Sequence, residues 1–234
     1  MHIGNEIKGP KKGMEGQKIF YIHYKELHAA VSATNKFKLS TTDDNHKLHE
    51  KVLRQFSKKC EIIPFRMNTI VGETVGRGIL RKYYNELLRD LKKISGKIEF
   101  ILYLTRTDKS KQVDFSYEFE KRLRFKGAVS RYMAQKKNSG TADKMFDVKN
   151  KVLVHQIHND LEALASDTHT ELMLNENLLL HAEYLIGREK AFDFKTTVTH
   201  LKNIYPNVTF ILTGPLFPYD FISVKIMSDN TVSS

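Results

Sequence analysis

The chain has 234 residues, 41% of them hydrophobic, enough to bury a core without disulfide staples. Its net charge of +11 is uneven: residues 1–150 hold 32 Lys/Arg against 17 Asp/Glu, and residues 151–234 hold 6 against 10. One cysteine excludes an internal disulfide, and the absence of a long apolar run excludes a helical membrane span.

The first 16 residues are polar, rich in Gly and Lys and without an apolar stretch, and read as a flexible leader with no secretory signal. Lys18–Tyr24 is rich in β-formers and predicts a strand. Residues 35–45 predict a loop whose Thr41, Thr42, Asp43 and Asp44 supply helix caps. From Asn45 to Lys59, Leu48, Val52, Leu53 and Phe56 recur at helical spacing. Ile62–Phe65 predicts a short strand, its Pro64 placing it at an end or edge. Ile79, Leu80, Tyr83, Leu87, Leu88, Leu91 and Ile94 predict one long amphipathic helix stopped by Gly96.

After Gly96 the pattern restarts, and a domain boundary is expected near Lys93–Lys97. Ile98–Leu104 predicts a strand. Helices follow at Tyr117–Lys137 and Lys149–Ser166, the latter with Val154, Ile157, Leu161 and Leu164 on one face. Two strands, Glu171–Leu174 and Leu178–Ile186, precede a helix carrying Phe194, Val198, Leu201 and Tyr205. Val208–Leu212 is a core strand ended by Thr213-Gly214-Pro215, and Phe221–Met227 alternates as an edge strand would. The fold class is therefore α+β in two domains, 17–95 and 96–227, with residues 228–234 as a disordered tail. The second domain reads β-α-α-β-β-α-β, a ferredoxin-like pattern with an extra helix in the first crossover.

No catalytic constellation emerges. His46 with His49 and His155 with His158 place ring pairs on single helix faces, as a metal site would, but without the intervening glutamate of a metalloprotease helix. Among polar neighbours they read as solvated histidines, and no metal or cofactor is expected. Cys60 follows Lys58 and Lys59, which would lower a thiol pKa, yet it reads as a structural cysteine. Gly72, Gly76 and Gly78 lack the Lys-Ser/Thr ending of a phosphate loop and read as a loop entering a helix. Lys121, Arg122, Arg124, Lys126 and Arg131, with Phe125 and Tyr132 interleaved, make the best nucleic-acid candidate, although Glu118 and Glu120 border them.

Thr213–Phe221 presents Phe217, Tyr219 and Phe221 on a backbone stiffened by Pro215 and Pro218, either as the closure of a core or as an aromatic anchor for a partner. Leu212–Phe221 resembles the closing run of the GvpF/GvpL gas vesicle proteins, a Thr-Gly-Pro-Trp-Pro-Pro-Tyr-Ser-Phe type of segment. Three further stretches agree in order. Tyr24–Ser32 is similar to an early "dl-AVVS" segment. His49–Leu53 followed by Ile63–Thr69 is similar to an "HE-VL … LPFRFGT" core, and Gly96–Phe100 to a "G-xEW-vK" strand. Leu216 and Phe217 replace the usual Trp and Pro, Met67 and Asn68 replace Phe and Gly, and residues 1–16 hold no clear counterpart of the family's Tyr-rich first strand. The resemblance implies a non-enzymatic, cytoplasmic accessory protein of gas vesicle formation. Its implied partners are the main shell protein GvpA and other vesicle proteins, and no membrane is expected. The candidate binding residues are then Pro64, Phe65, Arg66, Pro215, Phe217, Tyr219 and Phe221. The alternative is a nucleic-acid-binding protein using the basic helix 121–137.

Overall fold

The computed structural model describes residues 10–36, 38–106, 142–171 and 178–224. Its contacts divide the chain into two units, Met1–Glu99 with Pro215–Ser234, and Phe100–Gly214.

In the first unit, β1 (Ile19–Tyr24) and β2 (Leu27–Ser32) form an antiparallel hairpin running from the pair Ile19/Ser32 to Tyr24/Leu27. Lys25 takes positive φ (51°) at its tip. β2 was not expected as a strand. Within the expected leader, Lys12 bridges Lys18, and the Gly13 N–H donates to the Gln17 carbonyl at 2.8 Å. A Cβ on Gly13 would lie 2.0 Å from the Ser32 hydroxyl, so only glycine allows this approach to β2.

Helix α1 (Asp43–Ser57) starts at Thr42, whose hydroxyl accepts from the Asn45 N–H at 3.4 Å. The single helix expected up to Ile94 is two: α2 (Glu73–Lys82) and α3 (Tyr84–Ile94) meet at Tyr83, whose ψ of 23° leaves the helical region. The bend accompanies contacts outside the helix: Tyr84 donates to the Glu26 carboxylate, and its ring meets Tyr24 edge-on at 5.7 Å. Gly76 and Gly78 lie inside α2 rather than in an entering loop. A Cβ on Gly76 would stand 2.7 Å from Ile22 Cδ1, so the glycine lets α2 approach β1. Gly96 follows α3 at φ 68°, the left-handed closure expected of it.

The expected strand at 62–65 is absent. Pro64 is buried and the chain passes into a turn in which both the N–H and the hydroxyl of Thr69 donate to the Arg66 carbonyl, at 3.1 and 2.7 Å. Asn68 sits in this turn at φ 69°. Its side chain accepts from the Leu39 N–H at 2.7 Å and donates to the Leu39 carbonyl at 3.3 Å. Where the resembled motif has glycine, this chain uses asparagine, which tolerates the left-handed region and adds a clamp.

Strand β3 (Lys97–Arg106) leads into the second unit, where α4 (Ala142–Glu162), β4 (Asp167–Glu171), β5 (Leu178–Gly187), α5 (Ala191–Ile204) and β6 (Val208–Leu216) follow. The four strands lie in the order β4-β5-β3-β6, with β4 antiparallel to β5. β5 and β3 are the inner strands and are buried almost throughout. Phe100, Leu102, Leu104, Leu180, Ala182, Tyr184 and Ile186 form the core with Val154, Ile157 and Leu161 of α4 and Phe194, Val198 and Leu201 of α5. Phe100 stacks on Phe194 at 5.1 Å between centroids, and Tyr184 meets Phe194 at 5.2 Å.

Two expectations need correction; β4, ending at Glu171, was itself not expected. β6 continues through Thr213-Gly214-Pro215 to Leu216, because at the sheet edge Pro215 sacrifices no inner ladder bond. Residues 221–224 form no strand, and the N–H groups of Ser223 and Val224 go to a carboxylate instead. The expected helix at 117–137, most of the 171–174 strand, and residues 225–234 lie outside the described residues.

Candidate protein-binding site

The closing run folds back within the first unit onto two buried carboxylates. Asp90, on the packed face of α3 with Leu87 and Ile94, is 4% exposed. It accepts from the Ser223 N–H at 3.0 Å, the Ser223 hydroxyl at 2.9 Å and the Val224 N–H at 3.3 Å. Glu99, 1% exposed, accepts from the Asp220 N–H at 3.1 Å. Two carboxylates thus hold the N–H groups of Asp220, Ser223 and Val224, donors that burial would otherwise leave without partners. Between them Phe221 is fully buried, with the Lys93 ammonium 5.5 Å from its ring centre. Of the two roles open to Phe221, it fills the core one; a ring buried this fully cannot also meet a partner.

The Arg66 guanidinium pairs with Asp220 at 2.7 Å, the arginine side chain 51% exposed and the aspartate 10%. It also lies over the Tyr219 ring, 5.8 Å from its centroid. Tyr219 is half-buried, and its phenol is pushed well above its ordinary range. Burial is the main cause; the Glu50 and Glu99 carboxylates act in the same direction and the Arg66 charge opposes them. The Phe217 ring meets Tyr219 edge-on at 6.5 Å, and the Tyr219 N–H donates to the Phe217 carbonyl at 2.8 Å in a tight turn. Pro64 and Pro218 are buried, Phe65 and Phe217 half-buried, and Arg66 and Pro215 exposed.

Residues from all the stretches that suggested the family except the earliest converge here: Glu50, Arg66, Glu99, and Tyr219 with Asp220. Arg66 and Asp220 stand 154 residues apart in the chain. The arrangement holds no nucleophile with a base and no paired carboxylates facing a cavity. It is an aromatic and guanidinium surface braced from beneath by buried carboxylates.

A family model described as gas vesicle synthesis protein GvpL/GvpF matches residues 3–223. The chain belongs to this family. Gas vesicle protein F of Haloferax mediterranei is 22% identical over 91% of this chain and 85% of its own length. Gas vesicle protein F1 of Halobacterium salinarum is 23% identical over 92% and 86%. The crystal structure of GvpF from an Anabaena species is similar with a TM-score of 0.68 at 17% identity, covering 92% of this chain and 89% of that one. GvpF from Microcystis aeruginosa gives 0.65 at 16%, covering 91% and 92%. At these identities the structures establish the mixed α+β fold, and the family model places this member in gas vesicle formation. No described helix is long and apolar enough to cross a membrane.

Other sequence-derived candidates fare differently in this member. His158 is not a solvated histidine: its Nδ1 lies 2.9 Å from the buried Tyr184 hydroxyl and its Nε2 3.4 Å from the Thr170 hydroxyl. Burial lowers its pKa, with His155 adding to the effect and Glu162 opposing it. His46 and His49 are half-buried, and burial also lowers His49. Among the described residues no group of three His, Cys, Asp or Glu could hold a metal. Burial, assisted by Glu61, raises the Cys60 thiol, so the flanking lysines do not activate it. Lys121, Arg122, Arg124, Lys126 and Arg131 lie outside the described residues. Asp90 was missed although a signal existed: an acidic residue three positions after Leu87 and four before Ile94 lies on the apolar stripe.

Proposed function

We propose that this protein is a non-enzymatic, cytoplasmic accessory factor that binds the main shell protein GvpA, and other vesicle proteins, during shell assembly. The contact surface is Arg66, Phe217 and Tyr219, with Phe65 and Pro215 at its margin and the buried Pro64 shaping the backbone beneath it. The observation that carries this reading is the convergence of the family-motif residues on one patch whose guanidinium is half exposed while its carboxylate partner is nearly buried. Rigid aromatics beside a pre-oriented arginine offer large contact area at little entropic cost, the composition of a binding hot spot. The reading extends to architecture: a second domain opening at Gly96 as a modified ferredoxin-like fold. The element order β3-α4-β4-β5-α5-β6 and the strand order β4-β5-β3-β6 support it.

The test is co-purification of tagged protein with the co-expressed shell protein, comparing wild type with Arg66→Ala, Phe217→Ala and Tyr219→Ala. Each substitution is expected to cut retention while circular dichroism stays native. No retention by the wild type would overturn the function; full retention by all three folded variants would overturn the surface.

A further inference from the structure

On α1 and its C-cap residue, Lys47, Lys51, Arg54 and Lys58 recur at spacings of four, three and four, which puts them in one row on the exposed side of the helix. At 1.5 Å per residue the row is about 16 Å long. Arg54 pairs with Glu50 at 2.6 Å, while Lys47, Lys51 and Lys58 have no ion pair among the described residues. The helix dipole accounts for cations at the last turn, hence Arg54 and Lys58, but Lys47 and Lys51 lie before that turn, where it offers a cation little. The apolar side of the helix, with Phe56 buried, faces the opposite way, so these charges are not there to cover core.

We infer that this row binds an acidic helical segment of a partner protein, one presenting carboxylates at matching spacings of four, three and four. Carboxylates so spaced form a single row along a facing helix, with pitch and length equal to those of the cation row. Nucleic acid suits the surface less well. Glu50 stands beside the row, and a continuous phosphate chain laid along it would meet that carboxylate. A protein can set a cation against Glu50 and carboxylates against the lysines. The inference rests on the protein-binding reading of the aromatic patch and adds the charge its partner must carry.

The experiment compares wild type, Lys47→Gln/Lys51→Gln/Lys58→Gln, and the charge-matched control Lys151→Gln/Lys190→Gln/Lys202→Gln. Each is titrated with a helical peptide of about 20 residues bearing the matching glutamates, its glutamine counterpart, and a DNA duplex of about 20 base pairs. The shell-protein co-purification runs in parallel. Three exposed pairs together predict about tenfold weaker binding of the glutamate peptide by the row variant, with the control unchanged and the glutamine peptide bound far more weakly. Equal weakening in the control, no weakening in the row variant, or tighter row-dependent binding of DNA would overturn the inference. Shell protein retained by the row variant but lost by Tyr219→Ala would also overturn it, leaving the patch reading standing. Row-dependent peptide binding without any shell protein retention would sustain it and overturn the patch reading.

Discussion

Replacing Asp90 by alanine tests the architecture beneath the candidate surface. The carboxylate accepts from two backbone N–H groups and one hydroxyl, all on Ser223 and Val224. The Ser223 hydroxyl can turn to water. The Val224 N–H is buried and the Ser223 N–H part-buried, so their losses are not recovered. At about 1–2 kcal/mol for each stranded donor, Asp90→Ala costs about 2–4 kcal/mol. Asp90→Asn keeps one acceptor and costs about half of that. Ser223→Ala removes only the hydroxyl and costs about 1 kcal/mol or less. Combined with Asp90→Ala it costs less than the sum, because both changes act on one network. Urea unfolding followed by circular dichroism gives these values; with a slope of about 2 kcal/mol per molar, the alanine midpoint falls by about 1–2 M. Hydrogen exchange then reports whether the Ser223 and Val224 amides have lost protection. An Asp90→Ala midpoint within about 0.25 M of wild type, with both amides still protected, would refute the assignment of Asp90 as the anchor of the closing run.

Further expectations concern neighbouring positions. Asn68→Ala is strained at positive φ and loses both bonds to Leu39, so it destabilises by about 2–4 kcal/mol in urea titration; Asn68→Gly loses only the bonds and costs about half as much. A glycine variant no better than the alanine would show that backbone strain plays no part. Arg66→Ala, breaking an ion pair with a half-exposed cation, changes the urea free energy by about 1 kcal/mol or less, so any large loss of partner retention is a binding effect. The Tyr219 and Tyr184 phenols are held above the ordinary value by burial, so the native state keeps protons that the unfolded chain releases near about pH 10. Their contribution is complete below that pH and is lost as pH rises beyond it. Thermal unfolding between about pH 8 and pH 11 should therefore fall less steeply for Tyr219→Phe than for wild type, and parallel curves would show that the phenol is not shifted.

Local repetition made much of the fold legible. The stripes Val154/Ile157/Leu161 and Phe194/Val198/Leu201 appear in the structure as expected, because a helix face is set by spacing within one segment. Gly96 was readable as a helix stop for the same reason. The short stretches resembling the gas vesicle family were equally visible, since each is contiguous. The segmentation at Tyr83 was not: no glycine or proline marks it, and it accompanies contacts of Tyr84 with Glu26 and Tyr24, about 60 residues earlier in the chain. Nor could Ile62–Phe65 be told from a strand, for an apolar run shows that a segment is buried and not whether a ladder partner lies beside it.

The candidate site divides along the same line. Its aromatic members could be named from the chain alone as either core or anchor. Only the tertiary structure assigned Phe221 to the core and left Phe217 and Tyr219 half-buried next to Arg66. Asp90 and Glu99 became anchors through bonds spanning 121 to 134 residues. A carboxylate that satisfies distant backbone N–H groups needs no particular side chain on the receiving segment, so the pairing leaves no pattern there to read. Composition and periodicity thus determined which segments had to be buried, while the folded chain decided which buried polar groups meet and which rings remain at the surface.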